Sequence, residues 1–173
     1  MKRMGSGFTI VELLIVIVVI AVLAAISIAA YTNISNRAND AAVQSDLKGL
    51  ATKLELYRVD NAGYPDVSVT PSSLVSLRFK ASKSAYNATV SNNLAYCYSP
   101  SNRLLYKVIA RSKSDTIYYI SHQNNTPLRY EGAWNSNLCN NILSSENDTQ
   151  YIYGGYAPSD TTTGPWRSWV GGN

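Results

Sequence analysis

The alternation of apolar and polar side chains divides the chain near residue 30. From Phe8 to Ala30, 20 of 23 residues are hydrophobic, the exceptions being Thr9, Glu12 and Ser27. As a helix this run rises about 35 Å, enough to cross the roughly 30 Å hydrocarbon core of a bilayer. It is apolar on every side except at Glu12, so it needs lipid or other apolar helices around it. Beyond Ala30 the pattern changes without a helix breaker. No proline lies between Phe8 and Asn61, and Gly49 is the only glycine there, which predicts one continuous helix. Such a helix has about 54 residues and is roughly 80 Å long. In its second half Val43, Leu47, Leu50, Leu54 and Tyr57 recur every three or four positions, on one face. Asp46, Lys48, Lys53, Glu55 and Arg58 mostly face elsewhere. A coiled-coil seam has the same spacing over so short a stretch, but the strands predicted downstream need this stripe as a partner. Asn61-Ala62-Gly63-Tyr64-Pro65 ends the helix, with Gly63 expected in the left-handed region and Pro65 unable to continue it.

The rest reads as strands and loops. Val67 to Val90 is Ser-rich and irregular, a connecting loop in which Leu74, Val75, Leu77 and Phe79 are expected to touch the helix. Three strands are predicted, Leu94 to Tyr98, Arg103 to Arg111 and Thr116 to His122, joined by turns short enough for antiparallel hairpins. In the middle strand Tyr106, Val108 and Ala110 point one way and Lys107, Ile109 and Arg111 the other, the alternation of a sheet with one buried face. The expected fold class is α+β, a long helix packed against a small antiparallel sheet. Tyr151, Tyr153, Tyr156, Trp166 and Trp169 stand among Gly, Pro, Ser and Thr in the tail and are expected mainly to cover the sheet edge.

Composition narrows the class. Of the 143 residues from Tyr31 onward, 57 are hydrophobic and 45 are Ser, Thr or Asn, which disfavours a charged coiled coil and an acidic disordered tail. Net charge is +4, and Lys2 and Arg3 account for half of it. These two, on the amino side of the apolar run, predict a leader held in the cytoplasm and an exported polar domain. Arg103, Lys107, Arg111 and Lys113 have the spacing of a solvated strand and its turn rather than of a nucleic-acid stripe. In an exported domain the only two cysteines, Cys97 and Cys139, are read as one disulfide. Two separated cysteines and the single His122 do not make a metal site, and no ordered calcium loop is visible among Asn140, Glu146, Asn147, Asp148 and Asp160. No nucleophile elbow, zinc-protease pair or phosphate loop is present, so neither catalysis nor a cofactor is expected.

Three readings compete for the amino terminus. A secretory signal would be cut near Ala24, Ala25, Ala29 or Ala30 and release a soluble binding protein, whereas a plain anchor would stay uncut. Neither needs Glu12, a carboxylate near the start of an apolar run where it costs a few kcal/mol in lipid and by default marks function. Gly7-Phe8-Thr9-Ile10-Val11-Glu12 before an apolar helix resembles the type IV pilins and the related pseudopilins of type II secretion. The Gly-Tyr-Pro turn at residues 63–65 is similar too, so the resemblance covers residues 1 to about 65.

The resemblance implies that a prepilin peptidase removes residues 1–7 by cutting between Gly7 and Phe8, then methylates the Phe8 amine. It implies a membrane-spanning and fibre-core helix over residues 8–30, an amphipathic half over 31–62 and a globular domain over 63–173. Glu12 would pair with a Phe8 amine, in the family's model that of a neighbouring subunit, and set register in the fibre. Implied partners are further copies, minor pilins, the peptidase, an assembly ATPase and a platform protein, with a host or cell-surface ligand for the finished filament. The subunit would wait in the cytoplasmic membrane and end in a surface pilus serving adhesion, twitching motility or DNA uptake, or in a type II secretion pseudopilus. Many pilins carry a proline in the apolar half of the helix; Ile28, Ala29 and Ala30 stand in that region here, as in a pseudopilin.

Overall fold

The computed structural model describes residues 7–66, 72–87, 93–135, 138–139, 150–153, 166 and 169–171. The chain divides into two compact units, residues 1–36 and 37–173. Helix α1 (Ile10–Asn61) belongs to both. Helix α2 (Ser72–Ser76), β1 (Phe79–Lys80), a 3₁₀ turn (Lys83–Ala85), β2 (Leu94–Tyr98), β3 (Tyr106–Arg111), β4 (Ile117–Ser121), β5 (Asn124–Arg129), β6 (Gln150–Tyr153) and β7 (Val170–Gly171) follow. The class is α+β, as the sequence predicts.

In the first unit the apolar helix buries nothing within the chain. Its large side chains are exposed from 50% at Val19 to 84% at Phe8, and Tyr31 and Ile34 extend this surface past Ala30.

The second unit is built on the stripe predicted for α1. Val43, Leu47, Leu50 and Leu54 are buried, Tyr57 partly so, and Ala51 joins them because its methyl falls on the same face. Against them lies a five-stranded antiparallel sheet in the order β5-β4-β3-β2-β6. Tyr96, Tyr98, Tyr106, Val108, Ala110 and Ile120 turn toward this core. A fully buried Leu or Val contributes about 1.5–3 kcal/mol, so this one face carries most of the hold between helix and sheet. Polar side chains add fixed points beside it. Lys53 donates to the Leu77 carbonyl at 2.9 Å, the Tyr64 hydroxyl donates to Glu55 at 2.6 Å, and the Tyr96 hydroxyl donates to the Pro65 carbonyl at 3.0 Å.

Several expectations are corrected. The middle strand begins at Tyr106, not Arg103, because Asn102 forms a turn, accepting from the Leu105 and Leu104 amides, and Arg103 is taken up by the end of α1. The sheet has two covered faces rather than one: Ile109 is buried on the far side with Ala95, Cys97, Leu138 and Cys139. Strands β5 and β6 were not predicted; β5 reads Asn-Asn-Thr-Pro-Leu-Arg, which lacks apolar alternation and holds Pro127, tolerated on an edge strand. The connecting loop contains α2, β1 and the 3₁₀ turn, and Leu74, Leu77 and Phe79 are buried as expected, but Val75 is 42% exposed because it lies on the outer side of α2.

The helix stop also works differently from the expectation. Ala62, with φ 52°, takes the left-handed conformation assigned to Gly63. Gly63 is needed for close approach: a Cβ there would meet the Arg103 Cβ at 2.9 Å and its carbonyl at 3.2 Å. That approach lets the Tyr64 amide donate to the Arg103 carbonyl at 2.7 Å while Arg103 donates back to the Tyr64 carbonyl at 3.4 Å.

Candidate processing and assembly segment

Helix α1 starts where a polar pair interrupts an apolar run. Thr9 precedes the first helical residue, and Glu12 occupies the third position of the helix. The Thr9 amide and hydroxyl each donate to Glu12 Oε2 at 2.8 Å, and the Glu12 amide donates to Thr9 Oγ1 at 3.2 Å. This is a reciprocal capping box, which satisfies amides that the helix start leaves without partners and sets a negative charge at the positive end of the helix dipole. The Thr-x-x-Glu spacing before an apolar run was present in the sequence, and sequence reasoning missed Thr9 as the partner of Glu12. Gly7 and Phe8 are exposed just ahead of this cap, and a Cβ at Gly7 would meet nothing within 4 Å.

The other predicted site residues lie elsewhere. Cys97 on β2 is joined to Cys139 by a disulfide with a Cα separation of 5.5 Å. The bridge holds Leu138 and Cys139 over the outer face of the sheet, with Tyr119, Tyr130 and Trp134 packed partly against them. The basic residues of the sheet each take a separate neighbour. Arg111 pairs with Asp115 at 3.2 Å, Lys107 lies 5.7 Å from the Tyr119 ring centre, and Arg103 serves the helix stop. Burial lowers the Lys107 pKa. Tyr156 and the oxygen-bearing Asn140, Glu146, Asn147, Asp148 and Asp160 lie outside the described residues.

Residues 2–28, which hold this cap and the apolar helix behind it, match the family model of the prokaryotic N-terminal methylation motif. The chain carries a prokaryotic N-terminal methylation motif. It is also 31% identical over 64 residues to the type II secretion system core protein G of Pseudomonas aeruginosa. That similarity takes in 37% of this chain and 45% of the relative, so the match spans less than half of the relative's length. No solved structure matches the chain. Helix α1, which begins inside the matched segment, is long and apolar enough, by length and composition, to cross a membrane.

Proposed function

We propose that the chain is a structural subunit of a type IV filament, stored in the cytoplasmic membrane and polymerised through its amino-terminal helix. The observation that carries this reading is the helix itself: its apolar side chains from Phe8 to Ile34 are exposed all round, and Glu12 is fixed at its start. Lipid covers such a surface before assembly and copies of the same helix cover it afterwards. A prepilin peptidase cuts between Gly7 and Phe8 and methylates the new amine, one helical turn from Glu12. In the fibre Glu12 turns from its own Thr9 to a Phe8 amine, and a pair buried in this way fixes axial register more than it adds net stability. Assembly ATPase and platform protein drive the transfer, and minor pilins share the fibre.

Of the two filament types, we assign the chain to a surface pilus acting in adhesion, twitching motility or DNA uptake, because a disulfide braces its outer domain. The pseudopilus of type II secretion is favoured by a different observation, the similarity to core protein G. Immunogold imaging of the cell surface separates them. Long labelled fibres are expected, and label confined to the envelope would turn the assignment to the pseudopilus. Glu12→Ala tests the shared mechanism: cleavage persists while fibre yield falls at least about tenfold, and normal fibres at normal rate would remove the register role.

A further inference from the structure

Four tyrosine rings form a row through the core of the second unit. Tyr64 meets Tyr106 edge to face with ring centres 4.5 Å apart, Tyr106 stacks on Tyr96 at 6.4 Å, and Tyr96 stacks on Tyr98 at 5.6 Å. All four are buried. Their hydroxyls meet unequal partners. The Tyr64 hydroxyl donates to Glu55 Oε1 at 2.6 Å, a short, charge-assisted bond. Arg58 pairs with Glu55 Oε2 at 3.0 Å, which favours the ionised carboxylate. The Tyr96 hydroxyl donates to the Pro65 carbonyl, a much weaker base, and the Tyr106 hydroxyl has no acceptor among the described residues. Tyr86 also donates to a carboxylate, that of Asp46, but at 3.1 Å, and Asp46 is shared with the amide and hydroxyl of Ser82.

A phenol that gives up an electron becomes a strong acid, so it is oxidised most readily where a base already accepts its proton. We propose that Tyr64 is a redox-active tyrosine, the place where a one-electron oxidation entering the tyrosine row comes to rest, with Glu55 as its proton acceptor. The oxidant is a diffusible one-electron acceptor of the nitrogen dioxide class. It takes one electron from the ring and leaves as its anion, while Tyr64 becomes a neutral phenoxyl radical. The phenolic proton crosses the 2.6 Å bond, and Glu55 becomes a carboxylic acid. Tyr106, without an acceptor for its proton, passes the oxidation on rather than holding it, so the row runs downhill toward Tyr64. Burial of Tyr64 then shields the radical from coupling with a second one.

The test uses the full chain in detergent micelles with photogenerated tris(bipyridine)ruthenium(III) as the oxidant, and reads the long-lived tyrosyl radical by electron paramagnetic resonance after freezing. Tyr64→Phe is expected to lower its yield at least about tenfold, and Glu55→Gln, which keeps the Tyr64 ring, to do the same. Tyr106→Phe leaves the Tyr64–Glu55 pair in place and slows the appearance of the radical by about tenfold. In deuterium oxide the wild-type radical forms about twofold more slowly, because the proton moves with the electron across a strong hydrogen bond. Near-ultraviolet circular dichroism checks that each variant is folded, and if Glu55→Gln is not, Tyr64→Phe and the isotope effect decide. No long-lived radical in wild type, a yield within about twofold of wild type in folded Tyr64→Phe or Glu55→Gln, or a rate unchanged by Tyr106→Phe or by deuterium oxide would each overturn the proposal.

Discussion

Two tyrosines that share a core illustrate how much depends on single polar atoms. The rings of Tyr64 and Tyr106 meet edge to face at 4.5 Å, yet only Tyr64 places its hydroxyl on a partner, Glu55. Among the described residues the buried Tyr106 hydroxyl has none. Tyr64→Phe is therefore expected to destabilise the domain by about 1.5 kcal/mol, and Tyr106→Phe to leave stability unchanged or raise it by about 1 kcal/mol. Urea unfolding of the two variants checks the contrast. Burial raises the phenol pKa of Tyr64, Tyr86, Tyr96 and Tyr106, with Glu55 adding to the effect at Tyr64 and Asp46 at Tyr86. Stability from such groups is complete below about pH 10 and is lost as pH rises through the raised values. An absorbance titration should show exposed tyrosines ionising first and the buried ones only as the fold is lost; all 13 ionising together in a folded chain would contradict this. Asp46 follows the same sign at acid pH, since burial outweighs its donors and raises its pKa. Its contribution is complete below the ordinary carboxylate range and declines as pH rises through the raised value, so Asp46→Asn should flatten that part of the stability profile. At this scale the apolar stripe from Val43 to Tyr57 was legible because burial follows helical period. The partners of Asp46 and Lys53 were not, because Ser82, Tyr86 and Leu77 lie 24 to 40 residues further along the chain.

Among the elements, α1 follows from its pattern, since an unbroken run without proline leaves the backbone no better choice than helix. Strands β2, β3 and β4 were legible within a few residues for a similar reason, a row of apolar and aromatic side chains between turns. β5 was hidden because an edge strand with Pro127 needs no alternation, and the buried outer face at Ile109 was hidden because Leu138 and Cys139, which cover it, come from far along the chain. Closing the 42-residue separation stabilises the domain by about 4 kcal/mol in the chain-entropy account. Replacing both cysteines by serine should lower the urea midpoint of the sheet and leave the helicity of the apolar segment unchanged in detergent; equal loss of both signals would show that the bridge supports the helix as well. The helix stop makes a sharper demand. Gly63→Ala presses a methyl into Arg103 and is expected to cost about 1–3 kcal/mol, whereas a cost near zero would mean that the turn can shift aside.

For the whole molecule, the division between an apolar helix with exposed side chains and a polar second unit was visible in the sequence before any fold was known. Its capped start was less visible: Glu12 stood out as a carboxylate among apolar residues, while Thr9 looked like one more small residue until its three hydrogen bonds with Glu12 were in view. In the proposed account every further step, storage in the membrane, release of the leader and bundling into a fibre, depends on where the mature chain begins. Mass spectrometry and amino-terminal sequencing of the chain isolated from its own cell envelope measure that directly. The filament account requires loss of residues 1–7 and an N-methylated Phe8 as the first residue; a chain beginning at Met1, or near Tyr31 after removal of the whole apolar run, would contradict it.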